Sequence, residues 1–272
     1  MAMLTACSSG DQVAGVGTGG TGSLAKSVSG QVADGYLVNA TVFLDKDGDY
    51  QLGMSEPSTT TDGNGAYTLN VDAADIGKYP IVALAIKGVT IDKDSNQVIA
   101  SSYVLSMPKE SVSGTVGNNF ISPISTQLRE MMETGKYATL PLAMNALATN
   151  LGLSPGTDVM VDYLAANNSA MHAQAQNMTT IMGNQAAQVL GGSGAAITVD
   201  VNRYRGMMGT IFSNMSSLRG TNVQSSMSGM NSTMATVLSI TPPTIAGQPY
   251  HNMSTSYRGM MGGVSTMIDR MK

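Results

Sequence analysis

Residues Asp45 to Glu56 read DKDGDYQLGMSE, and the reading of this stretch decides how the first part of the chain folds. It sets carboxylates at Asp45, Asp47 and Asp49, follows them with Gln51 and Gly53, and closes on Glu56. Short acids on alternate residues, a backbone carbonyl at the seventh position and a glutamate at the twelfth are the spacing with which a loop wraps calcium. The expected ligands are therefore Asp45, Asp47, Asp49, Gln51 and Glu56, with Ca2+ as the ion. So many acids in so short a segment repel one another unless a cation sits among them. The sixth position of such loops is Gly, because the chain turns there with positive φ, and here it is Tyr50. Gly48 is the alternative source of the turn. A metal-free acidic turn is the competing reading, since Asp and Gly are ordinary turn formers.

Working outward, Ala40-Thr41-Val42-Phe43-Leu44 alternates as a strand does, which puts the loop on a β-hairpin. Period-two or short apolar runs recur at Val28 to Val32, Tyr36 to Leu44, Ser58 to Thr61 and Ala66 to Val71. They continue at Ile81 to Ile86, Val89 to Ile91, Gln97 to Ile99, Tyr103 to Leu105 and Val112 to Val116. The unbroken apolar run at Ile81 to Ile86 predicts a buried central strand. Asp62-Gly63-Asn64-Gly65 predicts a hairpin turn. Asp92 to Asn96 predicts another turn, in which Asp92, Asp94 and Asn96 form a weaker candidate for a second cation. Short strands punctuated by Gly and Asp predict a β-sandwich over residues 28–117.

Beyond residue 118 the period changes. Ser122-Pro123 supplies a helix start with Pro in the first turn, and Ile124, Leu128 and Met131 recur at helical spacing until Gly135. Further helices are expected at Leu140 to Leu151, Ser169 to Leu190, Val201 to Leu218, Val223 to Leu238 and Ser254 to Met271. The predicted fold is an α+β multidomain chain: an N-terminal β-sandwich followed by a methionine-rich α-helical bundle over 118–272. Tyr204-Arg-Gly-Met-Met-Gly209 recurs as Tyr257-Arg-Gly-Met-Met-Gly262, and its glycines are expected to let helices approach closely.

The order Ser29 to Gly35, Ala40 to Asp49, Glu56-Pro57 and Thr59 to Leu69 resembles the carboxypeptidase-regulatory-like and calcium-binding B-repeat group. The resemblance implies a small immunoglobulin-like sandwich, used as a rigid spacer or binding module on bacterial surface proteins and without catalytic residues of its own. It carries calcium ligands onto Asp45, Asp47, Asp49 and Glu56. A second, shorter resemblance concerns Leu4-Thr5-Ala6-Cys7, which is similar to the end of a bacterial lipoprotein signal peptide. It implies lipidation at Cys7, and the Ser after that Cys implies sorting to the outer membrane. The charged and long apolar parts of a signal are missing, so the chain as given is expected to start late. Residues 1–7 are then the end of the signal and 8–27 a Gly-rich flexible linker.

Composition excludes several classes. Net charge is −4 with no basic block, which argues against nucleic acid. No apolar run is long enough to span a bilayer, so membrane attachment is expected through the lipid alone. No nucleophile elbow, no zinc-ligand spacing and no phosphate loop is present, so no enzyme is expected. Of 22 methionines, 18 fall from Met131 onward, and Met178 and Met182, or Met227, Met230 and Met234, share a helical face. The alternative function is therefore Cu(I) binding by thioethers, with His172 and His251 as helpers. The plainer explanation is that Met fills gaps in a loosely specified core. The expectation is a non-catalytic, calcium-stabilised lipoprotein of the outer membrane or cell surface, serving display, adhesion or assembly with itself or other envelope proteins.

Overall fold

The computed structural model describes residues 25–114, 119–219 and 223–243. The strands come first along the chain: β1 (Ala25–Val32), β2 (Leu37–Val38), β3 (Thr41–Leu44), β4 (Ser58–Thr60) and β5 (Ala66–Asp72). They continue with β6 (Ile81–Ala85), β7 (Ile91–Asp92), β8 (Gln97–Val98), β9 (Tyr103–Met107) and β10 (Asn119–Ile121). Helices follow: α1 (Pro123–Glu133), α2 (Leu140–Leu151), α3 (Ser169–Asn184) and α4 (Ala186–Val189). A two-residue hairpin, β11 (Leu190–Gly191) with β12 (Thr198–Val199), precedes α5 (Val201–Ser213) and α6 (Val223–Ile240). The described residues thus form a mixed fold of several small sheets and six α-helices.

The largest sheet is antiparallel in the order β4-β3-β6-β9. Every residue of β6 and β9 is buried, as the continuous apolar run at Ile81 predicts, because β6 lies between two strands and α1 packs on β9. In a second sheet β1 lies between β5 and β10. β5 buries alternate residues, the period of a strand with one wet face. β10 runs parallel to β1 so closely that a Cβ at Gly30 would fall 1.8 Å from the Asn119 carbonyl oxygen. Only Gly fits there.

Several details depart from what the sequence suggests. Val112 to Gly114 lie in no strand, Thr115 and Val116 fall outside the described residues, and the place beside β1 is taken by β10 instead. The Asp62–Gly65 turn forms as expected, with Asp62 Oδ1 accepting the N–H of Asn64 and Ala66. It does not close a hairpin, however: β4 pairs with β3 and β5 with β1, so the turn carries the chain from one sheet to another. Tyr36 to Leu44 is split at Asn39, whose φ of 60° bends the chain between β2 and β3. β1 begins at Ala25, inside the stretch expected to be linker. Residues 185–190 leave the third helix, and Met215–Leu218 forms a 3-10 turn after α5. The expected helix at Ser254, the second Tyr-Arg-Gly-Met-Met-Gly and the Cys7 region lie outside the described residues.

Helix starts follow their caps. Ser122 Oγ accepts the Ser125 N–H while Ser125 Oγ accepts the Ser122 N–H, with Pro123 at the first position of α1. Asn168 and Asp200 cap α3 and α5 through Met171 and Arg203 N–H. The buried apolar side chains of strands and helices form one continuous cluster. Met178, Met182, Met207, Met208, Met227, Met230 and Met234 all belong to it, which is the gap-filling use of methionine.

One seam between strands and helices is built on tyrosines. Tyr163 Oη donates to the carbonyls of Ala33 (3.0 Å) and Asp34 (3.3 Å), and its ring meets Phe120 edge-on at 5.1 Å. Tyr36 Oη donates to Asp162 Oδ2 at 2.8 Å, and Tyr103 Oη to Asp34 Oδ2 at 3.0 Å. Burial pushes the Asp34 carboxyl up to about 6, against the pull of hydrogen bonds from Thr179 and Tyr103. A raised folded pKa means that folding favours the protonated acid, so its stabilisation is full below about pH 4 and lost as pH rises through about 6. Asp34→Asn, which keeps an acceptor for Tyr103, should therefore melt higher than wild type at pH 8 and show a flatter stability profile between pH 4 and 6. A melting curve at pH 8 that moves downward would contradict this.

A candidate metal centre

Asp45 follows directly on β3, and its N–H donates to the Pro80 carbonyl at 3.0 Å, so the strand pairing fixes where the acidic loop starts. The loop brings Asp45, Asp47 and Asp49 together, with one carboxylate oxygen from each lying within 4.8 Å of the others. Oxygens on opposite sides of a calcium ion stand at about twice a bond length of 2.3–2.6 Å, so this spacing suits calcium with little movement. Asp45 is buried, Asp49 half-buried and Asp47 exposed, leaving the trio open on one side.

The other two expected ligands make hydrogen bonds within the loop. Glu56 accepts the Lys46 N–H (2.6 Å) on one oxygen and the Gly53 N–H (2.9 Å) on the other, closing the loop on itself. Gln51 turns its side-chain amide onto Asp49 Oδ2 at 2.8 Å, and its backbone N–H onto Asp49 Oδ1 at 2.7 Å. Burial first, and then the charges of Asp47, Asp45 and Glu56, push the Asp49 carboxyl up to about 6. A cation among the three aspartates would relieve that repulsion.

Tyr50 makes the turn that the motif assigns to Gly, with φ of 64°, next to Gly48 at 80°. Left-handed backbone costs an aromatic residue about 1–3 kcal/mol, and burial offsets it. The Tyr50 ring is fully buried beneath the Arg129 guanidinium, whose carbon lies 3.8 Å from the ring centroid, and beside Tyr204 at 4.8 Å. Tyr50 Oη donates to Glu130 Oε1. Truncating a buried aromatic side chain to Ala typically costs about 3–5 kcal/mol, more than the backbone strain, so Tyr50 is tolerated at the turn.

Arg129 is the residue that the sequence did not announce. It lies on α1, its side chain is 1% exposed, and Nη2 donates to Asp45 Oδ2 at 2.6 Å. Nε donates to Glu133 Oε1 at 2.8 Å, and Glu133 also pairs with Arg205 of α5. Burial raises the Asp45 carboxyl, and Arg129 together with the Gly48 N–H opposes that rise. The first Tyr-Arg-Gly-Met-Met-Gly copy thus supplies Tyr204 and Arg205 to this seam. Its Gly209 does not serve close helix approach, since an added Cβ would meet nothing within 4 Å.

The second acidic turn is differently occupied. Asp92 accepts the N–H of Asp94 and Ser95, as an ordinary turn does, and Asp94 Oδ2 contacts His172 Nε2 at 2.5 Å and accepts from Gln176 at 2.9 Å. His172 also stacks on Tyr163, with ring centroids 5.9 Å apart. His251 lies outside the described residues, as does Cys7. No helix among the described residues is long and apolar enough to cross a membrane. No family model, curated protein or solved structure matches the chain.

Removing Arg129 would leave Asp45 buried without its counter-charge. Arg129→Met is expected to cost about 3–5 kcal/mol in denaturant unfolding, and Asp45→Asn combined with Arg129→Met less than Arg129→Met alone. Additive costs would show that the two side chains are not coupled.

Proposed function

We propose that the chain is a calcium-stabilised, non-catalytic lipoprotein of the bacterial cell envelope, anchored through Cys7 at the outer membrane or cell surface. Its β-rich part is read as an immunoglobulin-like sandwich of the carboxypeptidase-regulatory-like or B-repeat type, and its helical part as a bundle. The job proposed is display, adhesion or assembly with itself or with other envelope proteins.

One observation carries the reading: three aspartate oxygens held within 4.8 Å of one another at the exit of a central-sheet strand, open to solvent at Asp47. The mutual repulsion of three carboxylates held this close supports it, because a cation among them would relieve that repulsion. Calcium would bind the folded loop and not the unfolded chain, and so stabilise by mass action. Chemistry supplied by the ion would be structural: it would hold Asp45, Asp47 and Asp49 together. Asp45 would then link the ion to Arg129 and the helices.

Thermal melting with added calcium and after chelation tests the proposal. At a calcium concentration about a hundredfold above Kd, the gain should be about 2.7 kcal/mol, and Asp47→Ala with Asp49→Ala should abolish it. Equal melting temperatures with calcium and with chelator would remove the metal from the account. For the anchor, the intact chain should sediment with membranes and Cys7→Ser should not.

A further inference from the structure

A cleft of about 500 Å3 opens beside the acidic loop, between the Lys78–Pro80 turn, the segment after β9 and the end of α1. The chain has only 14 Lys and Arg, yet Lys46, Lys78, Lys109, Arg129 and Arg205 all line this one cleft. Asp45 and Glu133, also in its wall, are held in ion pairs with Arg129 and Arg205. Two further acids, Asp47 and Glu110, complete the charged lining. Lys46 pairs with Asp75 at 2.8 Å, just outside the lining. The cleft and its partners therefore balance at zero in a molecule whose net charge is −4, and Lys78 and Lys109 are its exposed cations.

The donors are of two kinds. Lys78 and Lys109 are exposed and have long flexible stems, whereas Arg129 is fixed in the wall by Asp45 and Glu133. Tyr79, Pro80 and Pro108 give the cleft an apolar side, and its volume lies in the range of small-molecule sites. A divalent cation on Asp45 and Asp47 would raise the balance from zero to two positive charges.

We propose that this cleft binds a small ligand through a carboxylate or phosphate group, and that calcium in the adjoining loop strengthens the binding. The coupling rests on the calcium reading above; the anion site itself does not. By linkage, any factor by which calcium tightens the anion is the factor by which the anion tightens calcium.

NMR titration of the intact chain with glucuronate and with glucose 6-phosphate, and with glucose as the neutral control, tests the proposal in calcium-free and calcium-loaded protein. Saturable shifts at the cleft with one or both acids, and not with glucose, are expected; the two acids tell carboxylate from phosphate recognition. Lys78→Gln with Lys109→Gln, both exposed and outside the acidic loop, should weaken binding about tenfold. Calcium should tighten it about fivefold. Acids that bind no better than glucose, or a double variant that binds like the parent, would overturn the site. Acids that bind equally with and without calcium, in protein whose melting temperature calcium raises, would overturn the coupling alone. Acids that bind in protein whose melting temperature ignores calcium would overturn the calcium reading and leave the cleft standing.

Discussion

A guanidinium with 1% exposure has to be answered by charge from its surroundings, and Arg129 is answered from both halves of the chain. Asp45 comes from the end of a strand in the main sheet, Glu133 from the same helix, and the Tyr50 ring from the acidic loop. An unpaired buried charge costs several kcal/mol, so α1 can sit against β9 only if the loop is in place. The loop in turn holds its strained residue, Tyr50, because the helices cover the ring. Each side supplies what the other lacks. The single apolar cluster running from Val28 to Leu238 is the packing expression of the same dependence.

Much of the layout was legible in the sequence because local signals were strong. Ser122-Pro123 started α1, and the unbroken apolar run at Ile81 marked the central strand. Local signals say nothing about partners, and there the reading went astray. β10 sits beside β1 through the absence of a side chain at Gly30, a cue that reads as a flexible residue until the neighbour is known. Asp62-Gly63-Asn64-Gly65 has the chemistry of a hairpin turn, but which strands flank it is settled by pairing elsewhere in the sheets.

The site shows the same division. Alternation of acids announced Asp45, Asp47 and Asp49, and the fold brings them together. Glu56 and Gln51 were placed by analogy of spacing, and their hydrogen bonds now shape the loop. Tyr50 looked like a defect because only its backbone was considered; its side chain is the reason it is tolerated. Arg129 and Glu130 lie between Leu128 and Met131 on α1, but nothing in the sequence says that they are buried or names Asp45 as the partner of Arg129.

If the buried Arg129 contact joins the halves into one unit, strands and helices open together. Native-state hydrogen exchange measures this directly, by comparing the opening free energies of amides in β6 and in α1 across low denaturant. The account predicts that both sets converge on one free energy with one denaturant dependence. Helical amides that exchange through a separate, cheaper opening while the β6 amides stay protected would contradict it.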